Sequence, residues 1–126
     1  MTDQKIINHW LYAFARDVDQ QKLDDHVLSP GNFLWHIFSY GYVPCLKDDE
    51  ARAEFDRIPY EKAIRFHDGF CGQITAVTET GKIRAASLDR ERKKGALDVY
   101  IVAEDFSWTY VRTHEEGWCG PYFCKR

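Results

Sequence analysis

Residues 97–123 read LDVYIVAEDFSWTYVRTHEEGWCGPYF, and this stretch decides the fold class. Leu97 to Ala103 alternates, with Leu97, Val99 and Ile101 on one side and Tyr100 and Val102 on the other. Apolar side chains on both sides predict a central strand covered on its two faces. Glu104-Asp105 turns the chain, and Phe106, Trp108 and Tyr110 alternate with Ser107, Thr109 and Val111 in a second strand. Beyond a His-Glu-Glu turn, Pro121 suits a sheet edge, so Tyr122–Cys124 is expected as a short edge strand.

Upstream, the period is helical. Asp3 is placed to cap a first helix running to about Gln21, with Ile6, Ile7, Trp10, Leu11, Phe14, Ala15 and Val18 on one stripe. Residues Gln20 to Leu28 read as a polar turn. Ser29-Pro30 predicts a helix start and Gly41 a stop, with the helix over Asn32–Tyr40. There Phe33, Leu34, Ile37 and Phe38 share a face and Trp35 points nearly opposite. Asp48 is placed to cap a third helix that Pro59 ends. Ala63–His67 and Phe70–Thr78 flank Asp68-Gly69, a hairpin signal, and Ser87 is placed to cap a short helix over Leu88–Lys94. These readings give one α+β domain over residues 1–126, its N-terminal helices packed on one face of a four- or five-stranded, mainly antiparallel sheet.

The chain is 126 residues long, enough for a core without staples, and 15% aromatic. Its net charge of -3 is unevenly spread: residues 98–116 hold five acids against Arg112, and residues 84–94 hold five bases against two acids. A nucleic-acid binder spreads its bases over a face, so the single Arg90–Lys94 cluster reads as a solvated helix end. The acidic surface suits a basic partner instead. No signal peptide pattern opens the chain and no run approaches the roughly 20 apolar residues of a membrane span. A cytoplasmic location is therefore expected, with the four cysteines as reduced thiols, and no association with nucleic acid or membrane.

Catalytic signatures are missing. The chain has no phosphate loop, no dinucleotide fingerprint and no G-x-S-x-G elbow, so no cofactor is expected. Cys119 and Cys124 with Cys71, Cys45 or His114 lack the paired spacing of a zinc site, so no metal is expected either. His36, His114 and Glu115 would serve as acid and base if the fold joined them. An apolar pocket lined by Trp35 and Trp108 would instead mark a small-ligand-binding domain. Trp35, Tyr40, Tyr42, Trp108, Tyr110, Trp118 and Tyr122 exceed what a plain core requires, although core packing accounts for most of them.

Two segments carry a resemblance: Phe33-Leu34-Trp35-His36-Ile37-Phe38-Ser39-Tyr40, and Trp108-Thr109-Tyr110-Val111-Arg112-Thr113-His114-Glu115 followed by Gly120-Pro121-Tyr122-Phe123. Together they resemble a family of small bacterial domains of unknown function, which implies no activity. In size, charge and expected compartment the chain is also similar to the immunity proteins of contact-dependent inhibition and other polymorphic toxin systems. That second likeness implies a cytosolic binding protein, not an enzyme, that neutralises a cognate toxin domain, with basic nucleases among the candidates. Asp17, Asp19, Asp24, Asp25, Glu115 and Glu116 are the expected partner-binding carboxylates, Trp118 the expected anchor, and a monomer or weak dimer the expected state.

Overall fold

The structure is a computed structural model that describes residues 3–28, 33–67, 76–93, 98–114 and 119–126. Its elements run α1 (Asp3–Ala15), α2 (Gln20–His26), α3 (His36–Ser39), β1 (Leu46–Lys47), α4 (Asp48–Arg57), β2 (Lys62–His67), β3 (Ala76–Thr80), α5 (Ala85–Lys93), β4 (Val99–Ala103), β5 (Trp108–Arg112) and β6 (Tyr122–Lys125). The strands form one six-stranded sheet in the order β1-β6-β5-β4-β2-β3, and every neighbouring pair is antiparallel. The class is α+β, as the sequence predicts, with one or two strands more.

β4 and β5 are buried along their whole length. Tyr100, Val102 and Val111 enter a core under α1, α2 and α3, where Trp10, Phe14, Ile37 and Phe38 meet them. Val99, Ile101, Trp108 and Tyr110 enter a second core under α4 and α5, with Phe55 and Leu88. The N-terminal helices thus cover one face, and the two later helices cover the other. Period-2 alternation of apolar residues demands this arrangement, because an uncovered face would leave its row of rings in water. Phe66 stacks parallel to its cross-strand partner Tyr100 at 4.7 Å, and Phe55 of α4 stacks on Tyr110 of β5 at 4.1 Å, which joins helix to sheet.

Several boundaries differ from the sequence reading. The first helix ends at Ala15, and Asp19 starts a separate helix where a polar turn is expected. The carboxylate of Asp19 accepts from Gln21 N, and the Gln20→Asp24 and Gln21→Asp25 side-chain bonds hold polar residues helical without an apolar stripe. The described helix around Trp35 is a single turn, His36–Ser39, followed by Gly41 at φ 73°. The expected start at Ser29-Pro30 and the Asp68-Gly69 turn lie outside the described residues. β6 is not an edge strand, because the two-residue β1 pairs with its outer side. Pro121 precedes the strand and needs no N–H there. α5 starts at Ala85, whose N–H donates to Asp56 Oδ1, so a carboxylate from α4 does the work assigned to Ser87.

Two turns show how local rules yield to packing. Phe106 adopts φ 58° at the fourth position of the β4–β5 turn, a place that usually takes glycine. Its ring is buried in the first core, edge-on to His9 at 5.3 Å. Gly120 at φ 83° is required, since a Cβ would lie 3.1 Å from the Tyr122 ring and 3.2 Å from Thr113 Cγ2. At the end of α4, Lys82 Nζ donates to the Phe55 and Ile58 carbonyls and sits 4.5 Å from the Tyr60 ring centroid.

Replacing Phe55 by Ala removes the ring stacked on Tyr110 and leaves a cavity in the second core. The expected cost is about 3–5 kcal/mol, read from urea unfolding midpoints.

Candidate functional site

Two groups of polar and aromatic residues stand out from the packed core. The first is built around Asp98, a carboxylate at the head of β4 that is only 1% exposed. Its Oδ2 accepts from Trp35 Nε1 at 2.9 Å. Its Oδ1 accepts from the backbone N–H of His114 at 2.6 Å and from His114 Nδ1 at 2.8 Å. A carboxylate only accepts, so Nδ1 of His114 is the donor in this contact. The backbone carbonyl of Asp98 holds Nδ1 of His67 at 3.1 Å. The register explains the meeting: Val99 faces Arg112, so the residues that follow β5 return to the head of β4. Trp35 arrives from the turn before α3, where Tyr100 Oη accepts from its backbone N–H at 2.9 Å.

The His114 side chain is 39% exposed, and its imidazole shares ring neighbours with His36. Phe33 lies 5.3 Å from His114 and 5.7 Å from His36, and Trp35 lies 6.1 Å and 4.5 Å from them. The two histidines predicted to converge thus flank one aromatic pair, but each takes its own partner. His36 Nδ1 holds the carbonyl of His26 at 2.7 Å. Glu115 lies outside the described residues. The sequence reading missed Asp98 as the organising group. Its signal was a lone carboxylate opening an otherwise apolar strand.

The second group lies on the surface at α2. His26 stacks on Tyr40 at 4.7 Å, Tyr40 stacks on Tyr42 at 5.6 Å, and Lys22 Nζ sits 5.1 Å from the Tyr42 ring centroid. Tyr40 is 51% exposed and Leu28, just past α2, is 44% exposed. Asp17, Asp19, Asp24 and Asp25 are all exposed here. Asp17 and Tyr42 line one groove with Val18, Val43 and Pro44. The structure leaves four of the predicted partner-binding carboxylates exposed on and just before α2, and Asp17 shares its groove with Tyr42. Glu115, Glu116 and Trp118 lie outside the described residues.

Other expectations resolve differently. Trp35 and Trp108 belong to the two cores on opposite faces of the sheet and are buried, so they line no common ligand pocket. Tyr110 and Tyr122 are also core residues, and burial pushes both hydroxyls well above the usual phenol range. Among the described residues, no group of three His, Cys, Asp or Glu side chains is placed to hold a metal ion. No described helix is long and apolar enough to cross a membrane.

A family model matches residues 4–123 of the chain. The chain belongs to this family, a domain of unknown function designated DUF4275. The match takes in both segments that carry the resemblance and nearly every described element, from α1 to the middle of β6. Comparison with curated proteins and with solved structures finds no match.

Burial lowers the pKa of His67, the Asp98 carbonyl opposes that shift, and Arg65 and Arg112 add to it. A depressed folded-state value means that the unfolded chain binds the proton more tightly. The neutral ring therefore stabilises the fold above about pH 6.5, and that contribution is lost as pH falls. The His67→Gln variant should lose less stability than the parent between pH 7 and pH 5, in urea titrations at each pH. Asp98→Ala leaves the Trp35 and His114 donors without their acceptor, and should cost about 3 kcal/mol in the same assay.

Proposed function

We propose that the chain is an immunity-type binding protein that neutralises a basic toxin domain by one-to-one association over the α2 surface. One observation carries this reading: the aromatic stack His26–Tyr40–Tyr42, with Tyr40 51% exposed, occupies the α2 region that also carries the exposed carboxylates Asp17, Asp19, Asp24 and Asp25. Tyrosines with one open face bury much area at small entropic cost, which is why they recur as anchors of protein interfaces. The carboxylates steer a cationic partner and raise the encounter rate at low salt. Arg16 and Lys22 interleave with them, so the patch favours a partner with a matching pattern over any polycation. Size, mild acidity and the likeness to immunity proteins in the sequence support the same reading. On this view the toxin's active site is occluded by contact, and no reaction occurs on the chain.

The test begins at the gene. A toxin reading frame directly upstream is co-expressed with this chain, and growth rescue and co-purification are scored. The double variant Asp24→Lys/Asp25→Lys should lower the association rate about tenfold at low salt and much less at high salt. Tyr40→Ala should weaken binding by about 1–2 kcal/mol in titration calorimetry, with the melting temperature almost unchanged. A chain that neither rescues growth nor co-purifies with the neighbouring toxin would sink the proposal.

A second reading rests on the Asp98–His114 pair. A buried carboxylate orienting a part-exposed imidazole is the arrangement a general base uses in a small hydrolase or nuclease. That reading requires turnover of ester or phosphodiester substrates by the purified chain, abolished in His114→Ala. Equal background rates for parent and variant would remove it.

A further inference from the structure

The short edge strand β1 brings two thiols together. Leu46 faces Phe123 and Lys47 faces Tyr122 in antiparallel register. The next pair inward is hydrogen-bonded, with Asp48 N donating to Pro121 O at 2.9 Å. Carrying that register one residue outward sets Cys45 across from Cys124. Hydrogen-bonded and non-bonded pairs alternate along such a ladder, so Cys45 and Cys124 occupy a non-bonded position. At such positions Cα atoms approach to about 4.5 Å. That is within the separation of about 4.4–6.8 Å that a disulfide spans.

The side chains share a face. Residues directly opposed on antiparallel strands point the same way, and both cysteines pack on the core beneath the N-terminal helices. Both also line one open pocket with Pro44, Leu46, Glu54, Phe123 and Lys125, which gives a small reagent access to them. Both are free thiols in the structure.

We propose that Cys45 and Cys124 are a dithiol site that closes to a cross-strand disulfide under a low-molecular-weight disulfide oxidant such as oxidised glutathione. The more exposed Cys45 loses its proton and attacks one glutathione sulfur, forming a mixed disulfide and releasing one glutathione thiolate. Cys124 then loses its proton and attacks the Cys45 sulfur, releasing the second glutathione. Two electrons pass from the protein thiols to the oxidant, and the two protons leave on two glutathione thiols. Burial holds each thiol at about 11, which keeps the reaction slow at neutral pH and accelerates it as pH rises. The bond fastens β1, otherwise held over only two residues, to β6. It also anchors the segment that descends from Tyr42 through Pro44. This goes beyond the binding function and does not depend on it.

The whole chain is incubated with oxidised glutathione at about pH 8, quenched in acid, and mapped by proteolysis and mass spectrometry without reduction. The expected product has lost two hydrogens and yields one linked pair of peptides containing Cys45 and Cys124. Amide exchange at Leu46 and Asp48, whose N–H groups face β6, slows in that product and recovers on reduction. Cys45→Ser, at a half-exposed position, gives no intramolecular link at Cys124. Cys119 is the internal competitor, since Tyr122 has both Cys119 and Cys45 near it. A map that links Cys45 or Cys124 to Cys119 or Cys71 overturns the proposal. So does a chain in which both thiols still alkylate after equilibration with excess oxidant.

Discussion

The central strands of the sheet have no wet side, and this constraint shapes everything packed around them. β4 and β5 present rings and branched aliphatics both upward and downward, so the chain must supply a layer for each face. α1, α2 and α3 supply the first and α4 and α5 the second. The order of elements follows from this need. The early helices are spent before any long strand is made. The segment from β1 to α5 then wraps the opposite face and adds β2 and β3 on the way.

Within that frame the buried charge at Asp98 is conspicuous. An ionised carboxylate inside a protein is costly unless its lone pairs are filled, and here an indole, a backbone amide and an imidazole fill them. The group therefore acts as a clasp. It joins the turn before α3 to the head of β4 and to the residues leaving β5. The cost of leaving any of these donors unmatched ties the three segments to one arrangement. His36 and His114 come to the same aromatic pair, Phe33 and Trp35, as a by-product of that clasp.

The surface follows a different logic. Most of the surplus aromatics are absorbed by the two cores, including Trp35, Trp108, Tyr110 and Tyr122. Tyr40 and Tyr42 are stacked on each other beside α2 instead, with Tyr40 largely open to solvent. A stacked tyrosine pair has already lost its rotamer freedom, so a partner that covers it gives up little further entropy. Carboxylates on α2 sit beside this preordered patch because the helix is polar all round apart from Leu23, held by side-chain bonds four residues apart.

Local pattern alone was enough for the class of the fold, the central strands with both their faces, the hairpin between β4 and β5, and the end of α4; at its start Lys47, not Asp48, holds the cap position and makes no side-chain cap bond. Each of these rests on periodicity or on a local stop such as Pro59, and both are properties of neighbouring residues. It also pointed to the carboxylates of residues 20–28 as exposed, since the stretch is mostly polar. Pairing at a distance came from the folded arrangement instead. β1 is two exposed residues with no strand signature, and it exists because β6 offers an open edge. α2 was hidden because its hydrogen-bonded side chains lack the apolar stripe by which helices are recognised. Asp98 with Trp35 and His114 joins residues 16 and 63 positions apart. Contacts over such spans depend on register and layer order, which no local pattern encodes.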